Sequence, residues 1–212
     1  VLLFDSNSEA IRHARVKLGK VMDRLVEKGR RTRDQADGII DRIKHVQELS
    51  EFAGVGIVIE AIIENFDIKK ALFKSLDEVV PDDCILASNT SSLSIASIAG
   101  SSKKPGRVIG IHFFNPAPLM KLVEIIPAIQ TEDKTHDRAK ALIDSWGKVT
   151  VDAKDTPGFI VNRIARPFYS EALRIYEEGF TDFGVIDRAM TNIGGFRMGP
   201  FTLMDYIGND VN

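Results

Sequence analysis

The sequence has little cysteine, no excess of positive charge, no long apolar run and no glycine-rich loop ahead of its first strand-like segment. One cysteine, Cys84, in 212 residues excludes an intrachain disulfide. It also makes a reducing, cytoplasmic compartment the expected one. The net charge of -2, from 28 basic and 30 acidic side chains, argues against nucleic acid as the main partner, because neutralising phosphates takes a basic excess. No apolar stretch approaches the roughly 20 residues that span a bilayer, so no membrane partner is expected. There are no repeats or low-complexity segments, and no metal site is expected. What is present is a 44% hydrophobic chain, enough to bury a core in one large domain or two modest ones.

Short β-branched runs alternate with helical periods, the pattern of βαβ units around a parallel sheet. Strands are expected at 1–4, 43–47, 56–61, 84–88, 108–113, 122–126 and 148–151, with Cys84 as a small core residue in its strand. Helices are expected over 8–28, 66–80 and 132–146. The character changes at Asp155-Thr156-Pro157-Gly158. No good strand follows, and helices are expected over 159–178, 183–192 and 200–207, with a kink or break at Pro167. The boundary falls at about Thr156, between an α/β domain and an all-helical one. Residues 12–33 are locally basic, with Arg12, Arg15, Lys17, Lys20, Arg24, Lys28, Arg30, Arg31 and Arg33 against Asp23 and Glu27, which by itself describes a solvated helix face.

Four segments carry chemistry. Val1-Leu2-Leu3-Phe4-Asp5 ends a strand on an acid. In a dinucleotide-binding fold such an acid accepts hydrogen bonds from the adenosine ribose and repels a 2′-phosphate, favouring NAD over NADP; an Asp there equally serves as a turn or N-cap residue. After the next buried strand, Glu64 and Asn65 open a helix, and spacing alone favours a capped helix with acids in its first turn. Ser88-Asn89-Thr90-Ser91-Ser92 follows a third strand, either as a ligand-facing polar cluster or as an N-cap. Finally, His112 ends an apolar strand and Glu124 lies inside the next apolar run. A carboxylate that holds one ring nitrogen as N–H makes the other a general base; the alternative is a satisfied core histidine. His13, His45 and His136 sit in polar, helix-like surroundings and are weaker candidates. Gly54-Val55-Gly56 leads into a strand, and Gly194-Gly195 and Gly199 lie in the helical region. Neither set follows a strand and opens a helix, so both read as turns and not as phosphate loops.

Taken in order, Ile63-Glu64-Asn65, Asn89-Thr90-Ser91-Ser92-Leu93, His112-Phe113-Phe114-Asn115-Pro116, Lys121-Leu122-Val123-Glu124, Pro157-Gly158-Phe159-Ile160-Val161-Asn162-Arg163 and Met198-Gly199-Pro200-Phe201 closely resemble the L-3-hydroxyacyl-CoA dehydrogenases of fatty-acid β-oxidation and the bacterial 3-hydroxybutyryl-CoA dehydrogenases. The resemblance runs over essentially the whole chain. It implies a Rossmann-type, mostly parallel sheet over residues 1–156 that binds NAD, then a helical substrate and dimerisation domain over 157–212. It implies reversible oxidation of an L-3-hydroxyacyl-CoA to a 3-oxoacyl-CoA, in β-oxidation or butanoate-type metabolism, by a homodimer. His112 is the implied general base and Glu124 its support. Ser91 and Asn162 hydrogen-bond the substrate, and Asp5, Glu64, Lys69, Asn89, Ser91 and Asn115 line the NAD site. Lys28 meets the CoA phosphates, although Val21 stands where some members have a polar contact.

The resemblance also implies one more strand with its Gly-rich loop before Val1, and further helices after Asn212. The chain begins inside a strand without an initiating Met, so both ends are expected to be cut. On that expectation the first βα unit is missing, and the isolated chain folds poorly and binds NAD weakly. Two other readings stand beside the leading one. A 6-phosphogluconate-type or gulonate-type dehydrogenase shares the two-part layout, though in the former a lysine takes the place of the His112–Glu124 pair. A non-catalytic, crystallin-like relative is the other, and the retention of Ser91, His112, Glu124 and Asn162 tilts against it.

Overall fold

The computed structural model describes residues 1–208. Strands form in all seven expected segments: β1 (Leu2–Leu3), β2 (Lys44–His45), β3 (Ile57–Glu60), β4 (Ile85–Ser88), β5 (Val108–Phe113), β6 (Leu122–Pro127) and β7 (Val149–Asp152). The last five make one sheet in sequence order, parallel except where β5 meets β6. β1 and β2 pair parallel to each other in a separate two-stranded sheet. The helices of this half are α1 (Ser8–Glu27), α2 (Arg33–Asp41), α3 (Phe66–Asp77), α4 (Ile95–Ala99) and α5 (Asp133–Ser145). Three more follow the sheet: α6 (Val161–Glu177), α7 (Phe183–Asn192) and α8 (Pro200–Ile207). The fold is therefore a mostly parallel, Rossmann-like α/β layer followed by helices.

Both faces of the larger sheet are covered, which is why its strands read as continuous apolar runs. Alternate side chains point to opposite faces. On one face, Leu86, Val108 and Ile126 pack with Phe73 and Leu76 of α3 and with Ile95 and Ile98 of α4. On the other, Ile85, Ala87, Ile109, Ile111, Val123 and Ile125 pack with Ala139 and Ile143 of α5. Leu2 and Phe4 join the first of these clusters, so the small sheet shares a core with the large one without sharing a ladder. Cys84 is fully buried, and burial pushes its thiol up to about 11.

Two elements were not expected from apolar periodicity. α2 has one buried residue, Ala36, and is set by its start, where Thr32 and Gln35 exchange side-chain and backbone hydrogen bonds as a capping box. α4 is a single short turn. Its N-terminus is bound from a distance by Asp155, which accepts from Ile95 N–H (2.9 Å), Ala96 N–H (2.7 Å) and the Ser94 hydroxyl (3.1 Å).

The expected break at Pro167 does not occur, and α6 runs through it. The proline removes one N–H and leaves one carbonyl, that of Arg163, without its helical partner. Arg163 is solvent-exposed, so water can satisfy that carbonyl. α8 is tied to α7 by Asp187, which accepts from Phe201 and Thr202 N–H, both at 2.9 Å. Among the described residues, no helix is long and apolar enough to cross a membrane.

At Gly110 the sheet and α4 approach closely. A Cβ there would lie 2.9 Å from Ile126 Cβ and 2.9 Å from Ile95 Cδ1. Gly110→Ala is expected to destabilise the fold by about 1–3 kcal/mol through overpacking. Denaturant titration checks this, and an unchanged midpoint would show that α4 can simply move away.

Candidate functional site

The antiparallel step from β5 to β6 sets His112 directly opposite Glu124. Opposed residues share a face, and this is the face of Val108, Gly110 and Ile126, not the α5 face. His112 Nδ1 lies 2.7 Å from Glu124 Oε2. Facing a carboxylate, Nδ1 carries the ring proton and Nε2 is left with the lone pair. Among the described residues, Nε2 has no protein partner, and the buried side-chain polar atoms that lack a partner are Arg107 Nε and Gln130 Oε1, so Nε2 retains access to solvent. The ring is flanked by Phe114 at 4.7 Å and Phe159 at 5.7 Å between centroids.

The other oxygen of Glu124 accepts from Ile160 N–H and Val161 N–H, both at 2.9 Å. These are unpaired donors at the start of α6, where the helix dipole also favours negative charge. Glu124 is fully buried, and such a carboxylate is tolerable only when its lone pairs are filled. The turn into α6 makes this possible. Gly158 has φ 76 and Phe159, though not glycine, has φ 48, a left-handed conformation that costs a non-glycine residue about 1–3 kcal/mol. That turn aims two N–H groups at Glu124 and buries the Phe159 ring beside His112.

A second network closes the C-terminal ends of β3 and β4. Lys69 and Glu60 are both buried and lie 2.6 Å apart. Glu60 also accepts from the Ser88 hydroxyl (2.7 Å) and Ile62 N–H (2.7 Å). Lys69 reaches Glu64 at 3.2 Å, and Glu64 accepts from the Thr90 hydroxyl, Ser91 N–H (3.1 Å) and the Ser92 hydroxyl (3.2 Å). Burial raises the Glu64 carboxyl, but the Thr90 hydroxyl, the Lys69 ammonium and Ser91 N–H outweigh it and hold the group below its ordinary value. Asn89 joins the two networks. Its N–H donates to the Glu60 carbonyl at 2.8 Å, and its Oδ1 accepts from Phe113 N–H, next to His112, at 2.9 Å.

The structure thus joins Glu64, Lys69 and Ser91 in one network and His112 and Glu124 in another, with Asn89 bonded to the backbone of both. Asn162 follows by one residue the Val161 N–H that binds Glu124. Asn115 lies in the exposed loop that follows β5. Asp5 and Lys28 are not joined to the group by any hydrogen bond or ion pair. Asp5 sits exposed after β1 and accepts from Asn7 N–H at 2.8 Å, and Lys28 is the exposed C-cap of α1. Lys69, expected to line the cofactor site, is buried, its ammonium donating to Glu60, Glu64 and the Ile62 carbonyl.

Sequence reasoning assigned no role to Glu60, Asp155 or Phe159. Only Glu60 left a signal, as an acid at the end of a buried strand. Two surface cavities lie elsewhere, one lined by Leu3, Ile11, Leu18 and Ile43, the other by Leu173, Phe183, Phe201 and Met204. Neither includes His112.

Comparison with known proteins places this geometry. The 3-hydroxyacyl-CoA dehydrogenase NAD binding domain matches residues 1–156, and the C-terminal domain of the same family matches residues 158–212. The chain is 44% identical over its whole length to a 3-hydroxyadipyl-CoA dehydrogenase of Escherichia coli (strain K12), spanning 45% of that protein. It is 43% identical over 210 residues to a probable 3-hydroxybutyryl-CoA dehydrogenase of Bacillus subtilis (strain 168), covering 99% of this chain and 73% of that one. A crystal structure of 3-hydroxybutyryl-CoA dehydrogenase from E. coli K12 superposes with a TM-score of 0.97 at 44% identity, over 100% of this chain and 45% of the other. The chain belongs to the 3-hydroxyacyl-CoA dehydrogenase family, with an NAD-binding domain at its N-terminal side.

Proposed function

We propose that the protein oxidises an L-3-hydroxyacyl-CoA to the 3-oxoacyl-CoA, reversibly and with NAD, and that His112 is the general base. The observation that carries the reading is the His112–Glu124 pair, with Nδ1 held at 2.7 Å and Nε2 left open. Nε2 takes the proton of the 3-hydroxyl, and the buried carboxylate stabilises the imidazolium that results. NAD, when bound, supplies the acceptor for the hydride that leaves C3.

The residues present fit that cofactor. They lie at the C-terminal ends of parallel strands, where ligands bind in open α/β sheets. Asp5 keeps one carboxylate oxygen uncommitted for a ribose hydroxyl. Among the described residues the Ser91 hydroxyl and the Asn162 amide make no side-chain hydrogen bond to the protein; in this reading they hold the substrate near its hydroxyl and thioester. Asn89 and Asn115 line the cofactor side, with Glu64, which Lys69 supports from beneath. Lys28 meets the CoA phosphates.

Residues 1–156 form the cofactor domain and 157–212 the substrate domain, with the site at their junction. The later helices leave Ile164 (71%), Phe180 (76%), Ile193 (88%) and Tyr206 (77%) exposed, apolar surface that a second copy of the chain would cover. A cytoplasmic location and a role in β-oxidation or butanoate-type metabolism complete the reading.

With the protein at its full natural length, NADH oxidation by acetoacetyl-CoA is expected. His112→Ala is expected to lower kcat by about 10²–10⁴-fold, and Glu124→Gln, which keeps the shape and removes the charge, by about 10²-fold or more with the melting temperature checked alongside. Absence of wild-type turnover would reject the reading in favour of a non-catalytic relative. Asp5→Ser is expected to raise KM for NADH and narrow its preference over NADPH; an unchanged ratio removes Asp5 from the ribose site. Sedimentation velocity at micromolar concentration is expected to give a dimer, and a monomer would remove that part of the reading.

A further inference from the structure

Between β5 and β6 the chain makes an excursion, residues 114–121, on its way from His112 to Glu124. The excursion begins with Phe114, whose ring lies 4.7 Å from the His112 imidazole. It continues through Asn115 and leaves Leu119 and Met120 exposed, at 74% and 42%. Its internal fastening is slight: the N–H groups of Leu119 and Met120 both turn back to the Pro116 carbonyl, at 2.9 and 3.1 Å. Among the described residues a single side chain crosses to hold it. Lys148 Nζ donates to the Ala117 carbonyl at 2.5 Å and to the Met120 carbonyl at 2.8 Å.

The topology explains how this lysine arrives there. β7 runs parallel to β6 and β6 antiparallel to β5, so the start of β7 lies at the same end of the sheet as the end of β5. Lys148 immediately precedes β7, whose Val149 is in register with Leu122, where the excursion returns. Val149 N–H also donates to the Lys121 carbonyl at 2.9 Å. Lys148 forms no ion pair among the described residues, so its charge is directed to the two loop carbonyls. Charge-assisted bonds of this kind are roughly twice as strong as neutral ones.

We propose that Lys148 is a positioning residue of the His112 site. Its ammonium clamps loop 114–121 at both sides of its tip, and the clamped loop holds Phe114 against the imidazole and Asn115 beside it. The inference rests on His112 being the base, as proposed above.

The test compares Lys148→Met, which keeps most of the stem and removes the donors, with Lys148→Arg, which keeps charge and donors. In Lys148→Met, kcat for NADH oxidation by acetoacetyl-CoA is expected to fall roughly 10- to 100-fold, with KM for acetoacetyl-CoA changing less. Amide hydrogen exchange over 114–120 is expected to accelerate at an unchanged melting temperature, and Lys148→Arg to recover most of the rate. Faster exchange with unaltered kcat would overturn the inference, since the loop would then be clamped to no catalytic end. Unaltered exchange would overturn it by removing the clamp. A wild type without turnover removes the base assignment and this inference with it, whereas wild-type turnover with an indifferent Lys148→Met overturns this inference alone.

Discussion

Glu124 has one carboxylate and two obligations. One oxygen fixes the imidazole of His112, and the other receives the first two free N–H groups of α6. A fully buried carboxylate costs several kcal/mol in lost hydration, and losing any partner leaves that cost uncompensated. The same interaction therefore sets the tautomer of the histidine and the docking of the helices onto the sheet. Asn162 follows directly on the residue whose N–H Glu124 binds. The strained turn at Phe159 belongs to this arrangement: its backbone delivers the two N–H groups, and its ring covers the histidine they help to hold.

The Glu60–Lys69–Glu64 chain does comparable work on the other side of β4. One buried ammonium lies between two carboxylates, and the outer carboxylate gathers Thr90, Ser91 and Ser92. Each of those residues follows a parallel strand, where a loop has few backbone partners of its own. The polar cluster is thereby held by side chains buried beneath it, and Asn89 passes that order on to the backbone beside His112. Rigid supports of this kind are what keep catalytic groups within tenths of an ångström of a productive geometry.

Much of this was legible in the residues, and the rest failed for identifiable reasons. The strands announced themselves as apolar runs because both sheet faces are covered. Facing of His112 and Glu124 was readable in outline, since one ends a strand and the other lies within the next. That the two strands are antiparallel, which puts the pair in register, was not. The burial of Lys69 against Glu60 was not legible, because a lysine on an amphipathic helix ordinarily faces water and nothing local marks the carboxylate beneath it. α2 escaped because its stability lies in a capping box and not in an apolar stripe. α4 escaped because its N-terminal donors are satisfied by Asp155, remote in sequence. Pro167 carried a strong local signal that an exposed helix face overrides.

Cys84 lies at full depth beside the start of β4, its thiol held in the protonated form by burial. The chain therefore presents no thiolate to its surroundings. Oxidants and electrophiles that silence many dehydrogenases through an accessible thiolate find no target on it, and a single cysteine introduced at a chosen surface position would be the sole site for a spectroscopic label.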